Sequence, residues 1–201
     1  MDKTENIDSE SLYSSLDKAM WITKHSRYIA SDRLRKKHLL SVYTISILSV
    51  YVIVLSLLVR YGFVPRNSNF YELISVISAI FILVLSLAES SKNYNVASER
   101  LFSSGNEIRD LLDELKKYKN DSEYDVSAIE KLSKKYSHVL KECGENHETV
   151  DYHLFKAQRV SDFNDMNMYY SLIYRGKFYL NIYWFYFVLM FLPPLLFWKI
   201  V

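Results

Sequence analysis

Two runs of twenty-one residues without a charged side chain constrain the fold of this chain more than any other feature. They cover Leu39–Val59 and Phe178–Trp198. An α-helix needs about 20 apolar residues to cross a hydrocarbon core about 30 Å thick, so both runs are long enough to span a membrane. A water-soluble chain of 201 residues has no core large enough to bury two helices that are apolar on every side. The sequence therefore predicts an integral membrane protein.

A third apolar run, Leu73–Ala88, has only sixteen residues. Phe70 and Tyr71 precede it and Ser90 and Ser91 follow it, which makes the segment long enough to cross with its ends in the interface. The chain has only four glycines and three prolines, which disfavours a turn-rich β protein. We expect an all-α integral membrane protein with two N-terminal transmembrane helices, a cytoplasmic helical hairpin and a third C-terminal transmembrane helix.

Basic residues indicate the orientation of these spans. Lysines and arginines crowd the N-terminal flank of the first run, whereas the loop after it holds only Arg60 and Arg66. Because basic residues are enriched on the cytoplasmic side, we expect a cytoplasmic N-terminus. The expected basic anchor at the membrane interface consists of Arg33, Arg35, Lys36 and Lys37. Binding of anionic lipid head groups by this cluster is a compatible alternative.

The spans and charges together predict six segments. These are an N-terminal cytoplasmic amphipathic and basic helix (1–38), a first transmembrane helix (39–59), an external loop (60–69), a second transmembrane helix (70–91), a cytoplasmic helical hairpin (92–177) and a third transmembrane helix (178–198).

The hairpin prediction depends on two stretches with apolar residues at a 4-3 spacing, Ala97–Tyr118 and Ile129–Leu154. The polar segment 119-KNDSEYD-125 separates them, which is typical of two antiparallel helices joined by a turn. Neither proline nor glycine occurs between Ala88 and Ser104, so the first helix is expected to continue from the second span, with a kink at Gly105. Ser127 and Glu130 match a capping box at the start of the second helix.

The sequence contains no recognisable catalytic arrangement. A Gly-rich phosphate loop, an HExxH motif and a paired-cysteine zinc pattern are all missing. Cys143, His147 and Asp151 lie four residues apart and could bind a metal on one helical face, but the first two fall on the apolar stripe, which favours positions in a helical core. We therefore expect no enzyme, no cofactor, no metal site and no small-molecule substrate.

The second span carries a narrow polar stripe. Ser75, Ser78 and Ser86 fall within roughly 80° of one another on a helix, and Glu72 and Glu89 project near the same face at its two ends. Two interpretations remain open. Small hydroxyl residues let helices approach closely and form hydrogen bonds between them. Alternatively, the stripes of several subunits line a common aqueous path with a ring of carboxylates.

One passage carries a family resemblance. The segment 88-AESSKNYNVASERLFSSGNEIRDLLDEL-115 follows two spans that are split by a short loop, and it resembles the SLATT domain family. Glu89, the pair Tyr94 and Ala97, the Ser-Gly-Asn-Glu-Ile passage and the third span are most similar to the subgroup encoded beside reverse transcriptases. The family has two spans, so the third span departs from its common plan.

The resemblance implies an effector of bacterial antiphage defence that acts by abortive infection. Such an effector would be a multi-pass protein of the bacterial inner membrane. It would oligomerise to open a pore or disrupt the lipid bilayer when a sensor partner activates it. That partner would be a reverse transcriptase or a nucleotide-signalling protein encoded nearby.

The residues fit a homo-oligomer, because three spans are too few to enclose an aqueous channel. A different class of function stays open: a membrane-anchored adaptor that holds a soluble defence partner through residues 89–177, without any pore.

Overall fold

Helices form nearly all of the regular structure in the computed structural model, which describes residues 2–63, 68–120 and 123–200. The six α-helices in these ranges are α1 (Asp2–Arg60), α2 (Ser68–Ser91), α3 (Tyr94–Lys116), α4 (Val126–Glu142), α5 (Thr149–Gln158) and α6 (Met168–Ile200). A short 3₁₀ helix, Val160–Asp162, lies between α5 and α6. Strands β1 (Lys119–Asn120) and β2 (Glu123–Tyr124) pair antiparallel, in a ladder of only two residues each. The predicted all-α fold class is confirmed.

Three of the described helical stretches are long and apolar enough to cross a membrane by length and composition. They are Glu10–Arg60, Phe70–Lys116 and Met168–Leu195. In the second stretch the apolar residues belong to α2, since α3 is strongly charged. The first and third predicted spans lie inside the longer helices α1 and α6, so no helix boundary marks their predicted inner ends.

The chain divides into two compact units. The first unit consists of Met1–Leu34 and Val96–Phe178, and the second consists of Arg35–Asn95 and Tyr179–Val201. The first therefore contains most of the predicted hairpin together with the beginning of α1. The second contains the apolar runs Leu39–Val59 and Leu73–Ala88 and nearly all of Phe178–Trp198.

The core of the first unit is built from α1, α3 and α4. Apolar residues repeat every three or four positions along each helix, so they form one buried stripe per helix. The buried members of this cluster are Leu16, Met20, Ile108, Leu111, Leu112, Leu115, Ile129 and Leu132. In addition, the Thr23 and Tyr136 hydroxyls lie 2.7 Å apart and join α1 to α4. The N-terminal part of α1 thus supplies a third helix that packs against the pair α3 and α4.

The expected continuous helix from the second span into the hairpin is wrong. Helix α2 ends at Ser91 and α3 begins at Tyr94. Between them Asn93 adopts a left-handed backbone with φ of 48°. Asparagine tolerates this conformation better than most residues, because its short polar side chain forms local hydrogen bonds. Its side-chain amide donates to the Ser91 carbonyl at 3.2 Å, so an asparagine interrupts the helix without proline or glycine.

The second half of the hairpin prediction also needs correction. The 4-3 pattern does not continue as one helix from Ile129 to Leu154, because α4 ends at Glu142 and α5 begins at Thr149. Gly144 lies in the gap with φ of 65°, a left-handed backbone that glycine adopts without steric cost. The N-cap of α4 is Asp125, whose carboxylate accepts from the Ala128 N–H at 3.0 Å, rather than Ser127.

Helix α3 runs through Gly105 without ending there, and the kink at this position stays a prediction. A Cβ built at this position would lie 2.7 Å from Cε1 of Tyr28. The glycine lets the Tyr28 ring of α1 lie directly against the backbone of α3.

Candidate functional site

The polar stripe of α2 faces two other helices within the second unit. The Ser75 hydroxyl lies 2.7 Å from the Ser56 hydroxyl of α1. Ser56 also donates to the Val52 carbonyl at 2.8 Å, so Ser75 is the donor in the contact between the two helices. This hydrogen bond corresponds to the interhelical interpretation of the stripe.

Glu89 is the buried carboxylate of the second unit. Its side chain is 3% exposed. The Tyr186 hydroxyl of α6 donates to Glu89 Oε2 at 2.9 Å, and the Lys92 ammonium forms an ion pair with the other carboxylate oxygen. Lys92 in turn lies 5.8 Å from the centre of the Phe185 ring and 5.6 Å from that of Tyr94. The charge of Glu89 is therefore neutralised within one chain, by partners from α6 and from the turn after α2.

The other stripe residues occupy different surroundings. Ser78 lines a cavity of about 160 Å³ among α1, α2 and α6. Ser86 is half-buried, and Glu72 is exposed. Within one chain, then, Ser75, Ser78 and Glu89 lie at contacts between helices, and Glu72 does not join them. That these residues line a pore in an assembly stays a prediction.

A second polar cluster, in the first unit, centres on Arg33 and Asp151. Arg33 Nε donates to Asp151 Oδ1 at 2.7 Å and Nη2 donates to Oδ2 at 3.0 Å. Both side chains are buried, at 2% and 0% exposed. Glu148, which is 57% exposed, places Oε1 3.0 Å from Arg33 Nη1. The bidentate geometry fixes the planar guanidinium of α1 against the first turn of α5.

Asp151 has a second role, in starting α5. Its Oδ2 accepts from the Glu148 backbone N–H at 2.8 Å. This is the backward contact of a capping box, in which an acidic side chain in the first turn satisfies the N-cap amide. One carboxylate therefore both caps α5 and holds Arg33.

The predicted basic anchor is corrected at one of its four positions. Arg33 does not reach the membrane interface as a free cation, because it is buried in the ion pair with Asp151. Arg35 is exposed, and Lys36 and Lys37 are half-buried. These three belong to the second unit and remain the predicted interface anchor.

Helices α1 and α3 are joined by a row of polar contacts that sequence reasoning missed. Arg27 donates to the Ser104 hydroxyl. The Ser98 hydroxyl donates to the Ser31 carbonyl at 2.8 Å. Tyr28 donates to the Asn106 side chain at 2.9 Å. The available sequence signal is the spacing of Arg27 and Ser31, which are four residues apart and therefore share one face of α1.

Cys143, His147 and Asp151 do not form a metal site. The described residues contain no group of three histidine, cysteine, aspartate or glutamate side chains that could hold a metal ion. The Cys143 thiol donates to the Arg100 carbonyl at 3.7 Å, and Asp151 is bound to Arg33. His147 Nδ1 is buried without a hydrogen-bond partner among the described residues, and burial lowers the pKa of this imidazole.

Comparison with protein families adds one finding. A family model described as SMODS and SLOG-associating 2TM effector domain family 5 matches residues 9–199, which is nearly the whole chain. No curated protein matches, and no solved structure does either. The resemblance found in segment 88–115 is therefore confirmed at the level of the family, and the match extends through the third apolar helix.

Proposed function

This chain belongs to the SMODS and SLOG-associating 2TM effector domain family 5, and we propose that it is a membrane effector of bacterial antiphage defence. In this proposal the chain lies in the inner membrane as a multi-pass protein with a cytoplasmic N-terminus. An activated sensor partner makes it oligomerise. The assembly then opens a pore or disrupts the membrane, and the cell stops growing or dies before the phage is released. The chain acts without catalysis.

The observation that carries the pore proposal is the state of Glu89. A carboxylate at membrane depth is costly, so it is kept where it has partners or water. In one chain its partners are Tyr186 and Lys92, and the outer surface of α2 is apolar, with Ile80 and Leu87 59% and 66% exposed. This arrangement suits a resting form that does not conduct. Conduction would require several chains to turn the Ser/Glu stripe toward shared water.

The partner is proposed to act on the first unit. The family description names association with SMODS and SLOG proteins, so a sensor of one of these types, or a reverse transcriptase encoded nearby, is the proposed source of the signal. Because α2 ends at Ser91 and α3 begins at Tyr94, this proposal does not route the signal along one continuous helix. A signal would instead pass through the turn that contains Lys92, which holds Glu89 directly.

Membrane depolarisation tests the pore proposal. The chain is expressed with its neighbouring genes in cells loaded with a potential-sensitive dye, and phage is added. We expect Glu89→Ala and Ser78→Leu to abolish depolarisation while the protein still reaches the membrane. Leu83→Ala, at a position that is 62% exposed, is the matched control and should leave depolarisation intact. If both stripe variants depolarise normally, the stripe does not line a pore.

A second candidate function is a membrane-anchored adaptor. The observation that favours it is a groove between α3 and α4 that presents both carboxylates and ammonium groups. Its charged lining includes Glu107, Asp110, Lys134, Lys135 and Glu142. Such a mixed-charge groove suits a protein partner.

Replacement of the three predicted transmembrane segments (39–59, 70–91 and 178–198) by unrelated apolar helices distinguishes the two functions. An adaptor would still protect cells against phage after this replacement, whereas a pore would not. Charge reversal of Lys134 and Lys135 is the complementary experiment. It should disrupt partner binding under either function, so it tests partner binding and not pore formation.

A further inference from the structure

The cavity in the second unit has a floor and a mouth. Leu48 and Leu55 of α1 form part of its floor, and each is 5% exposed. Phe81 of α2 and Leu192 of α6 also line it, yet they are 54% and 49% exposed. These two side chains therefore lie at an opening, through which the cavity meets the outer surface of the unit.

The chemistry of the cavity suits hydrocarbon. Its wall is predominantly carbon, contributed by leucine, valine, isoleucine, phenylalanine and proline side chains. A buried water needs about two to four polar partners, and an apolar cavity of roughly 150 Å³ in another protein stays dry and binds benzene. The present cavity of about 160 Å³ has a similar size and a mostly apolar lining, and it is open at one side. It thus has room for a short hydrocarbon segment of one chain.

The surroundings of the mouth identify the source of that hydrocarbon. Both mouth residues belong to helices whose length and composition suit a membrane span, so in a bilayer the opening faces acyl chains. An empty void forfeits the dispersion contacts that its lining atoms would otherwise make. Lipid is the one hydrocarbon present at high local concentration on every side of such helices. Entry of an acyl segment recovers those contacts without any change of fold.

We propose that this cavity is a binding site for the hydrocarbon end of a membrane lipid acyl chain. The bound segment contacts α1, α2 and α6 at the same time, and it lies beside Ser78 on the inward face of α2. Occupancy stabilises the packing in which Tyr186 of α6 holds Glu89 of α2. The proposal does not rest on pore formation, because lipid binding in the resting chain is measured without any activating partner.

Photolabelling tests the site. The full chain is reconstituted in vesicles of a phosphatidylcholine that contain a small fraction of a lipid with a diazirine near the end of one acyl chain. After illumination, mass spectrometry maps the labelled residues. We expect label on buried lining residues such as Leu48 and Leu55, beside the label that exposed residues of α1, α2 and α6 receive.

Two matched pairs of variants decide the outcome. Val52→Phe fills the cavity, and Val54→Phe makes the same change at an exposed position of the same helix. Label on Leu48 and Leu55 should fall at least about fivefold in the first variant and stay within about twofold in the second, because a filled cavity excludes the chain. Leu192→Phe and Leu195→Phe form the second pair and serve if Val52→Phe does not fold.

Three results would overturn the proposal. One is label confined to exposed side chains in the unmodified chain. Another is an equal loss of label in the filling variants and their controls. The third is label on Leu48 and Leu55 from a photoreactive hexanol but not from the lipid, which would assign the cavity to small free molecules.

Discussion

The two units differ in which side chains they bury and which they expose. The first unit buries a leucine and isoleucine core and, beside it, a set of polar groups that includes Arg27, Arg33 and Asp151. The second unit leaves large apolar side chains exposed and buries the Glu89 carboxylate with an ammonium and a phenol as partners. The hydrophobic effect can hold the first unit in water. In hydrocarbon no hydrophobic effect drives the apolar side chains of the second unit together. Its helices therefore depend on packing and interhelical hydrogen bonds.

The largest predicted effect concerns the buried ion pair of the first unit, between Arg33 and Asp151. Asp151→Ala leaves the buried Arg33 with only the exposed Glu148 as a counter-charge, and it removes the cap of α5. Breaking a buried pair on one side costs about 3–5 kcal/mol, which is a large part of the free energy of unfolding of a typical domain. We expect the first unit to open readily in this variant while the second stays helical.

The labelling rate of Cys143 measures that opening. It is the one cysteine of the chain, it belongs to the first unit, and it is 8% exposed. A thiol reagent should react at least roughly a hundredfold faster with Asp151→Ala, since labelling requires the unit to open. Asp113→Ala is the control, because Asp113 and Lys116 form an ion pair in which the side chains are 62% and 63% exposed, and exposed pairs contribute less than about 1 kcal/mol. Equal rates in the two variants would show that the buried pair does not hold the unit together.

Close helix packing gives the next largest effect. Gly105→Ala places a methyl group 2.7 Å from the Tyr28 ring, and overpacking of this kind costs about 1–3 kcal/mol. Alanine is the better helix former by about 1 kcal/mol, so the net loss of stability should be about 1 kcal/mol. Faster labelling of Cys143 would report it.

The control is Gly176→Ala in α6. Apart from its chain neighbours and the backbone of its own helix, none of the described residues has an atom within 4 Å of a Cβ built there, so helix propensity alone acts and the substitution should stabilise the chain. If both variants change labelling in the same direction, helix propensity rather than the contact with Tyr28 governs position 105.

The apolar helices and the fold class could be predicted from the sequence, because the length of an apolar run and its lack of charge are local properties. Prediction failed where one side chain or one distant contact decided the outcome. Asn93 broke a helix that the absence of proline and glycine had suggested would continue, and Gly105 proved to be a contact with Tyr28, which lies seventy-seven positions earlier in the chain. Arg33 looked like one more member of a basic cluster. Its partner Asp151 became visible only when α5 was placed beside α1.

The candidate site combines a local feature of α2, which its sequence contains, with contacts to other helices, which it does not. The face shared by the α2 serines and Glu89 follows from helical geometry, which a sequence contains. The partners Ser56 and Tyr186 come from other helices, and nothing in the spacing of α2 could identify them. Tyr186 in particular is one of many aromatic residues in α6.

Acid should weaken the first unit through its histidines. Burial lowers the pKa of His147, and the nearby Arg27 charge lowers it further while Asp151 opposes this. A pKa lowered in the folded state means that the neutral form favours folding, so stability is complete above the unfolded pKa of about 6.5 and declines as the pH falls below it.

The measurement is the Tm of the first unit at pH 7.5 and at pH 5.5, compared between the unmodified chain and His147→Gln. Burial lowers the pKa of His25 and His153 as well, so some acid sensitivity should persist in the variant. We expect the drop in Tm on acidification to be smaller in His147→Gln. An unchanged drop would mean that the buried imidazole does not couple protonation to unfolding.

The smallest predicted effects come from removing one serine hydroxyl in each unit and comparing the two losses of stability. Ser98→Ala in the first unit removes a buried hydrogen bond to the Ser31 carbonyl, and such bonds contribute about 0.5–1.5 kcal/mol. Ser75→Ala in the second unit removes the bond to Ser56, and interhelical hydrogen bonds in membranes average about 0.6 kcal/mol. The Ser56 hydroxyl keeps its own bond to the Val52 carbonyl, so no donor is left without a partner and the loss should lie at the lower end. Unfolding in mixed micelles measures both variants. A larger loss for Ser75 than for Ser98 would contradict the expectation that the interhelical hydrogen bond of the second unit contributes less than the buried hydrogen bond of the first.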